Sequence, residues 1–129
     1  MEPAKNNAPL GKKIWAIAEG YIPGYGTGPA PDFTSHEAAC ILNAGNQEAH
    51  IEITLFFADR EPAGPYKITV KARRTLHLRF NNLTDPEPIP LETDYSSVIV
   101  SDMPIVVQHT RLDSRQTANA LLSTIAYTE

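Results

Sequence analysis

Cysteine is almost missing from this chain of 129 residues: Cys40 stands alone, so no internal disulfide can form. Its neighbours Ala38, Ala39, Ile41 and Leu42 suit a buried small hydrophobe better than an activated thiol. Long apolar runs are missing too. After Lys5, Lys12 and Lys13, the stretch from Ile14 to Ala18 is too short for a secretion signal, and nothing approaches a membrane span. A cytoplasmic protein is the resulting expectation. Positive charge is not in excess, with 11 Lys and Arg against 15 Asp and Glu, a net charge of −4 and a pI near 5.5. This excludes overall attraction to nucleic acid or anionic lipid and leaves only local patches. Metal-ligand spacing is absent: His36, His50, His77 and His109 fall on separate predicted elements. Gly24, Gly26 and Gly28 alternate without the spacing of a phosphate-binding loop. No metal and no cofactor are expected, and neither repeats nor low-complexity segments occur.

What is present is a chain of 14.2 kDa with 42% hydrophobic residues, enough for one compact core. Residues Met1–Gly11 read as a flexible leader, and 12–129 as a single domain. β-branched and aromatic runs recur at Lys12–Glu19, Glu37–Asn43, His50–Ala58, Tyr66–Ala72, Thr75–Phe80, Ser97–Ser101, Ile105–Leu112 and Leu121–Tyr127. The spacing predicts an all-β fold, an antiparallel β-sandwich of about eight strands. Turn chemistry at Asn43-Ala-Gly45-Asn46, Pro62-Ala-Gly64-Pro65 and Asp102-Met-Pro104 supports hairpins. The last run also suits a helix over Thr117–Ile125, but its β-branched and aromatic end favours a strand. Two long connections, Gly20–Ser35 and Asn81–Asp94, are rich in glycine or proline and serve either as functional loops or as stiff crossovers.

His50-Ile-Glu-Ile-Thr-Leu alternates as a half-wet strand should, with Ile51, Ile53 and Leu55 inward. The runs at Ile14, Ala38, Val98 and Ile105 are instead apolar on both faces, which a two-layer fold of this size cannot cover alone. Either another subunit or a bound apolar ligand covers them, and a symmetric homo-oligomer is the commoner answer.

The densest polar cluster is Gln108-His-Thr-Arg-Leu-Asp-Ser-Arg115. In an extended strand His109 and Asp113 stand about 13 Å apart, so a Ser/His/Asp triad requires a turn between them. Ser114 also lacks a nucleophile-elbow setting. Arg111 and Arg115 present planar donors to a carboxylate, phosphate or sugar hydroxyl; the structural alternative is an ion-pair network. At the start of the second run either His36 or Glu37 points inward and must be paired. Trp15, Glu19 and Tyr21 supply a stacking face and an acceptor to the same region, although a lone tryptophan in a strand is more often core. Finally, Lys67, Lys71, Arg73 and Arg79 share one parity and make a basic stripe suited to DNA or a receptor face if the strand is continuous; a turn near Ala72–Arg74 breaks it.

These stretches closely resemble the sensory rhodopsin transducer family: WAIAEGYIP at Trp15–Pro23, SHEAACILNAG at Ser35–Gly45, GPYKITVKARRTLHLRF at Gly64–Phe80, PIVVQHTRLDSRQ at Pro104–Gln116 and NALLSTIAY at Asn119–Tyr127. The resemblance covers nearly the whole chain after the leader. It implies a β-sandwich subunit in a homotetramer, a cytoplasmic signalling role without catalysis, and three partners to consider: the cytoplasmic face of a sensory rhodopsin, a small sugar-like ligand, and DNA. It also implies Trp15, Glu19, Tyr21, His36, Glu37, Arg74, His109, Arg111, Asp113 and Arg115 as site residues.

Overall fold

The computed structural model describes residues 9–27 and 34–129. Most of the leader and part of the first glycine-rich connection lie outside the described residues. Eight strands follow in order: β1 (Lys12–Gly20), β2 (His36–Asn43), β3 (Ala49–Phe57), β4 (Ala63–Val70), β5 (Arg74–Arg79), β6 (Tyr95–Asp113), β7 (Ala120–Ile125) and β8 (Tyr127–Thr128). All their pairings are antiparallel. A single 3-10 turn, Phe80–Asn82, is the only helical element among the described residues.

The all-β expectation holds, but the strands are cut differently. The two runs at Ser97–Ser101 and Ile105–Leu112 are one strand of 19 residues, β6, so Asp102-Met-Pro104 is not a hairpin turn. Residues Tyr95–Ser101 run between β1 and β3, whereas Val106–Leu112 pair with β2 and, from Gln108 on, also with β7. Pro104 falls between these two sets of partners, where its missing N–H leaves no ladder bond unmade. The chain therefore changes sheet within one strand. One layer is ordered β4-β3-β6-β1-β8 and the other β5-β2-β6-β7. Gly64 and Pro65 also lie inside a strand rather than a turn. They occupy the edge strand β4 opposite a register shift at Ile53/Leu55, a position that tolerates proline.

The inner faces of both layers supply one hydrophobic cluster, in which Ile51, Ile53, Leu55 and Ile99 of the first meet Ala39, Ile41 and Val107 of the second. Cys40, on the other parity of β2, is half-buried rather than buried, with its sulfur 3.8 Å from Thr110 Oγ1. Asn43 is wholly buried. Its amide nitrogen donates to the carbonyls of Gln47, Val70 and Lys71, and its oxygen accepts from Gly45 N–H, which ties the β2–β3 turn to the β4–β5 turn. The tail is strand rather than helix, but it splits at Ala126: β7 joins the second layer and β8 the first.

The basic stripe is broken. β4 ends at Val70 in the first layer, Arg73 takes φ +58° in the turn, and β5 begins at Arg74 in the second layer. Lys67 faces Glu52 across one ladder while Arg79 faces Ala38 in the other. Lys71 and Arg73 are left in the connecting turn.

Candidate functional site: a buried carboxylate at the end of two strands

The start of β2 and the end of β6 are neighbours, with Glu37 opposite Arg111 and Ala39 opposite His109. Alternation places Glu37, Ala39 and Ile41 on the inner face together with Val107 and His109. Of the pair His36 and Glu37, it is Glu37 that enters the core, with no exposed surface at all. His36 is half-buried, and its Nδ1 donates to the Thr34 carbonyl 2.8 Å away.

Both carboxylate oxygens of Glu37 are engaged. Oε1 accepts from His109 Nε2 at 2.7 Å. Oε2 accepts from Arg111 Nε at 3.0 Å and Nη2 at 2.7 Å, and from the Tyr21 backbone N–H at 2.6 Å. Burial opposes ionisation of this carboxyl. The hydrogen bonds from His109, Arg111 and Tyr21 and the charge of Arg111 outweigh it and hold the group below its ordinary range. In turn, hydrogen bonding to Glu37 raises Arg111 further above its ordinary value.

The network also fastens the long connections. Tyr21 opens the first of them, so the Glu37 carboxylate anchors its start. Ser35 Oγ donates to the Tyr25 carbonyl and accepts from Ser114 N–H, and Thr27 N–H reaches the Ser114 carbonyl. Asn81 accepts from Glu37 N–H and donates to the Ser35 carbonyl, while Glu92 N–H donates to the Ile22 carbonyl. The described ends of the first loop and residues Asn81 and Glu92 of the second are thus held around the ends of β2 and β6.

Arg111 has a second, outward side. Its Nη1 lies 3.4 Å from Glu19 Oε1, a loose contact to an exposed carboxylate. Next to it, Arg115 chelates Asp113 at 2.7–3.2 Å and places its guanidinium 5.7 Å from the Tyr21 ring. Hydrogen bonding from Arg115 lowers the Asp113 carboxyl. Glu19, Tyr21, Arg111, Asp113 and Arg115 therefore form a polar rim above the buried Glu37–His109 pair. An open groove of about 480 Å³ begins at Glu19 and continues past Gly20, Phe57, Asp94 and Tyr95.

The structure thus brings together Glu19, Tyr21, Glu37, His109, Arg111, Asp113 and Arg115. It leaves three of the expected site residues elsewhere. Trp15 is core, with its indole nitrogen on the Lys12 carbonyl. Arg74 pairs with Asn43 at the far end of β2, about 20 Å from Glu37 along the strand. His36 is turned away on its Thr34 contact. No triad forms: β6 stays extended through Asp113, His109 is committed to Glu37, and Ser114 Oγ lies 3.1 Å from Ser35 Oγ. Asn81, Ser35 and Tyr95 belong to the surroundings without having been expected. Loop asparagines and serines carry no distinguishing sequence signal, and Tyr95 was hidden by its position just before the predicted strand. Burial pushes the Tyr95 phenol far above its ordinary value, helped by the charge of Glu37. Its hydroxyl finds no hydrogen-bond partner among the described residues.

Residues 10–128 match the family model described as Anabaena sensory rhodopsin transducer. A solved structure of the Anabaena sensory rhodopsin transducer is 62% identical with a TM-score of 0.74, covering 81% of this chain and 100% of its own. The crystal structure of Thermotoga maritima 1070 is 35% identical with a TM-score of 0.83, covering 93% of this chain and 97% of its own. No curated protein matches the chain.

Proposed function

The chain belongs to the Anabaena sensory rhodopsin transducer family, and from that premise we propose that it is a non-catalytic signalling module that senses a small polar, sugar-like ligand at the rim above Glu37 and relays its binding to a partner. The observation that carries this reading is the position of Arg111. One side of its guanidinium is locked on buried Glu37, while Nη1, among the described residues, meets the exposed Glu19. Hydroxyls or an anionic group of a ligand would compete for Nη1, with Tyr21 as a stacking face and Arg115 and Asp113 beside it. Any shift of Arg111 reaches Tyr21 through the shared Glu37 oxygen, and so reaches the first connection. Glu37 itself acts as a latch rather than a base, because its oxygens are already filled by donors.

On this reading the module works in the cytoplasm as a homo-oligomer, a tetramer in the family's manner, and its partner is the cytoplasmic face of a sensory rhodopsin. The named role of the 62% identical relative supports that partner. Lys67 lies in the first layer, Arg79 in the second, and Lys71 and Arg73 in the turn between them, so the continuous basic face on which DNA docking rested is interrupted.

A thermal-shift screen against sugars, sugar phosphates and short duplex DNA at low and high salt tests the proposal, since binding to the native state raises its apparent stability. The expected result is a sugar-class shift that survives high salt and disappears in Arg111→Ala. A shift with DNA alone that vanishes in high salt overturns it.

A further inference from the structure

The groove that begins at Glu19 continues the rim above Glu37 and has a chemistry of its own. Two carboxylates line it, Glu19 and Asp94, and none of the described residues along it is basic. Asp94 is exposed and makes no ion pair among the described residues. Glu19 is 77% exposed and meets Arg111 Nη1 at 3.4 Å, a contact that costs little to give up. On the far side of β6, Phe56 and Phe57 of β3 supply an aromatic wall. Phe57 already receives one cation, the Arg60 guanidinium 4.6 Å from its ring centre. Arg60 is in turn paired with Glu87 at 2.8 Å, so its charge is matched within the chain. Carboxylates set beside aromatic rings suit an organic cation.

The floor of the groove holds an unmet polar group. Tyr95 is 4% exposed, and its hydroxyl has no hydrogen-bond partner among the described residues. Burying a hydroxyl unmet costs stability. The hydroxyl-bearing end of the ring lies against Gly20, where a Cβ would stand 2.6 Å from Cζ. Gly20 lines the same groove, so its lack of a side chain leaves the phenol directed at the groove floor. A phenol oxygen accepts from an ammonium N–H. We infer that the ligand sensed at the rim is an amino sugar: its hydroxyls take Arg111 Nη1, and its protonated amine enters the groove between Glu19 and Asp94, above Tyr95 and beside Phe57. Glu19 then exchanges Arg111 for the amine. A neutral sugar satisfies Arg111 but leaves both carboxylates facing water. The groove volume of about 480 Å³ falls within the range of roughly 300–1,000 Å³ typical of small-molecule sites.

The inference rests on the ligand reading given above and fails separately from it. Its test is calorimetric titration of the full chain with glucose and galactose, with their 2-amino forms and with the N-acetylated amines. In the pair that binds, the amino sugar is expected to bind about tenfold more tightly than its neutral counterpart, the size of a partly exposed ion pair and a cation–π contact together. Acetylation, which removes the charge, is expected to abolish that advantage. Asp94→Asn, at an exposed position, and Tyr95→Phe, which removes only the unmet hydroxyl, should each cut the ratio of amino to neutral sugar affinity roughly threefold. Equal affinity for amino and neutral sugars, or a preference unchanged by both acetylation and Asp94→Asn, overturns the inference and leaves the ligand reading standing. No binding of any sugar, in this titration or in the screen above, overturns both.

Discussion

Oε1 of Glu37 lies 2.7 Å from Nε2 of His109, a contact between residues 72 positions apart in the chain that joins the start of β2 to the end of β6. Because the carboxylate is wholly buried, its hydrogen bonds to His109, Arg111 and Tyr21 are not a surface ornament. Removing the charge leaves the Arg111 guanidinium and the His109 ring facing a poorer acceptor inside the fold.

Glu37→Gln is accordingly expected to destabilise the fold by about 3 kcal/mol, at the lower end for a broken buried pair because Arg111 keeps some exposure. That corresponds to a fall in Tm on the order of 10 °C. Urea denaturation measures it, and a loss under about 0.5 kcal/mol would show that the network contributes nothing net.

The same carboxyl sets a pH dependence. Its folded-state pKa lies below the ordinary value of 4.5, so its stabilisation is complete above about pH 4.5 and is lost as pH falls through the lower, folded-state value. The stability gap between wild type and Glu37→Gln should be constant at neutral pH and narrow in acid. A gap that widens as pH falls below 4.5 would reverse the sign and contradict the assignment.

Gly20→Ala introduces a methyl group that meets the Tyr95 ring at 2.4 Å. Backbone fixes one side of that contact, and Tyr95 is packed edge-on against Phe80 on the other. Overpacking of about 1–3 kcal/mol is expected, read as a lowered denaturation midpoint, with recovery when Tyr95→Leu is added.

Tyr95→Phe should by contrast cost little or even stabilise, because it removes a buried hydroxyl that makes no hydrogen bond among the described residues. A loss above about 1 kcal/mol would mean that the hydroxyl is satisfied in solution.

Asn43→Ala removes one side chain that holds three carbonyls and one N–H. About 2 kcal/mol of destabilisation is expected, since buried acceptors are left without a donor. Faster amide exchange at Gly45, whose N–H loses its acceptor, would locate the damage in the β2–β3 turn.

How much of this was legible in advance depended on the range of the signal. Alternation in His50–Leu55 and the apolar runs at Ile14 and Ile105 are local patterns, and they located most strands to within a few residues. Asp102-Met-Pro104 misled because a proline that opens a turn and a proline that lets a strand change sheets look alike in one dimension. The apolar neighbours of Cys40 suggest burial, although only its parity relative to Ile41 decides which face it takes. Arg74 enters the expected site only through the motif that contains it, whereas Trp15 and His36 enter on their residue type and nearness in sequence to Glu19 and Glu37. Residues within one motif alternate between faces or sit at opposite strand ends, so a motif does not mark a shared pocket.

By itself the sequence determined the antiparallel all-β class, the need to pair a charged residue at the start of β2, and a surplus of apolar surface that two layers cannot hide. Each follows from periodicity and solvation, which act over a few residues. Only the tertiary structure decided that Glu37 is the inward member, that its partners are His109, Arg111 and Tyr21, and that Lys67 and Arg79 part into different layers with Lys71 and Arg73 in the turn between them. Those outcomes depend on strand register between segments many residues apart, and a shift of one residue exchanges the buried face for the exposed one.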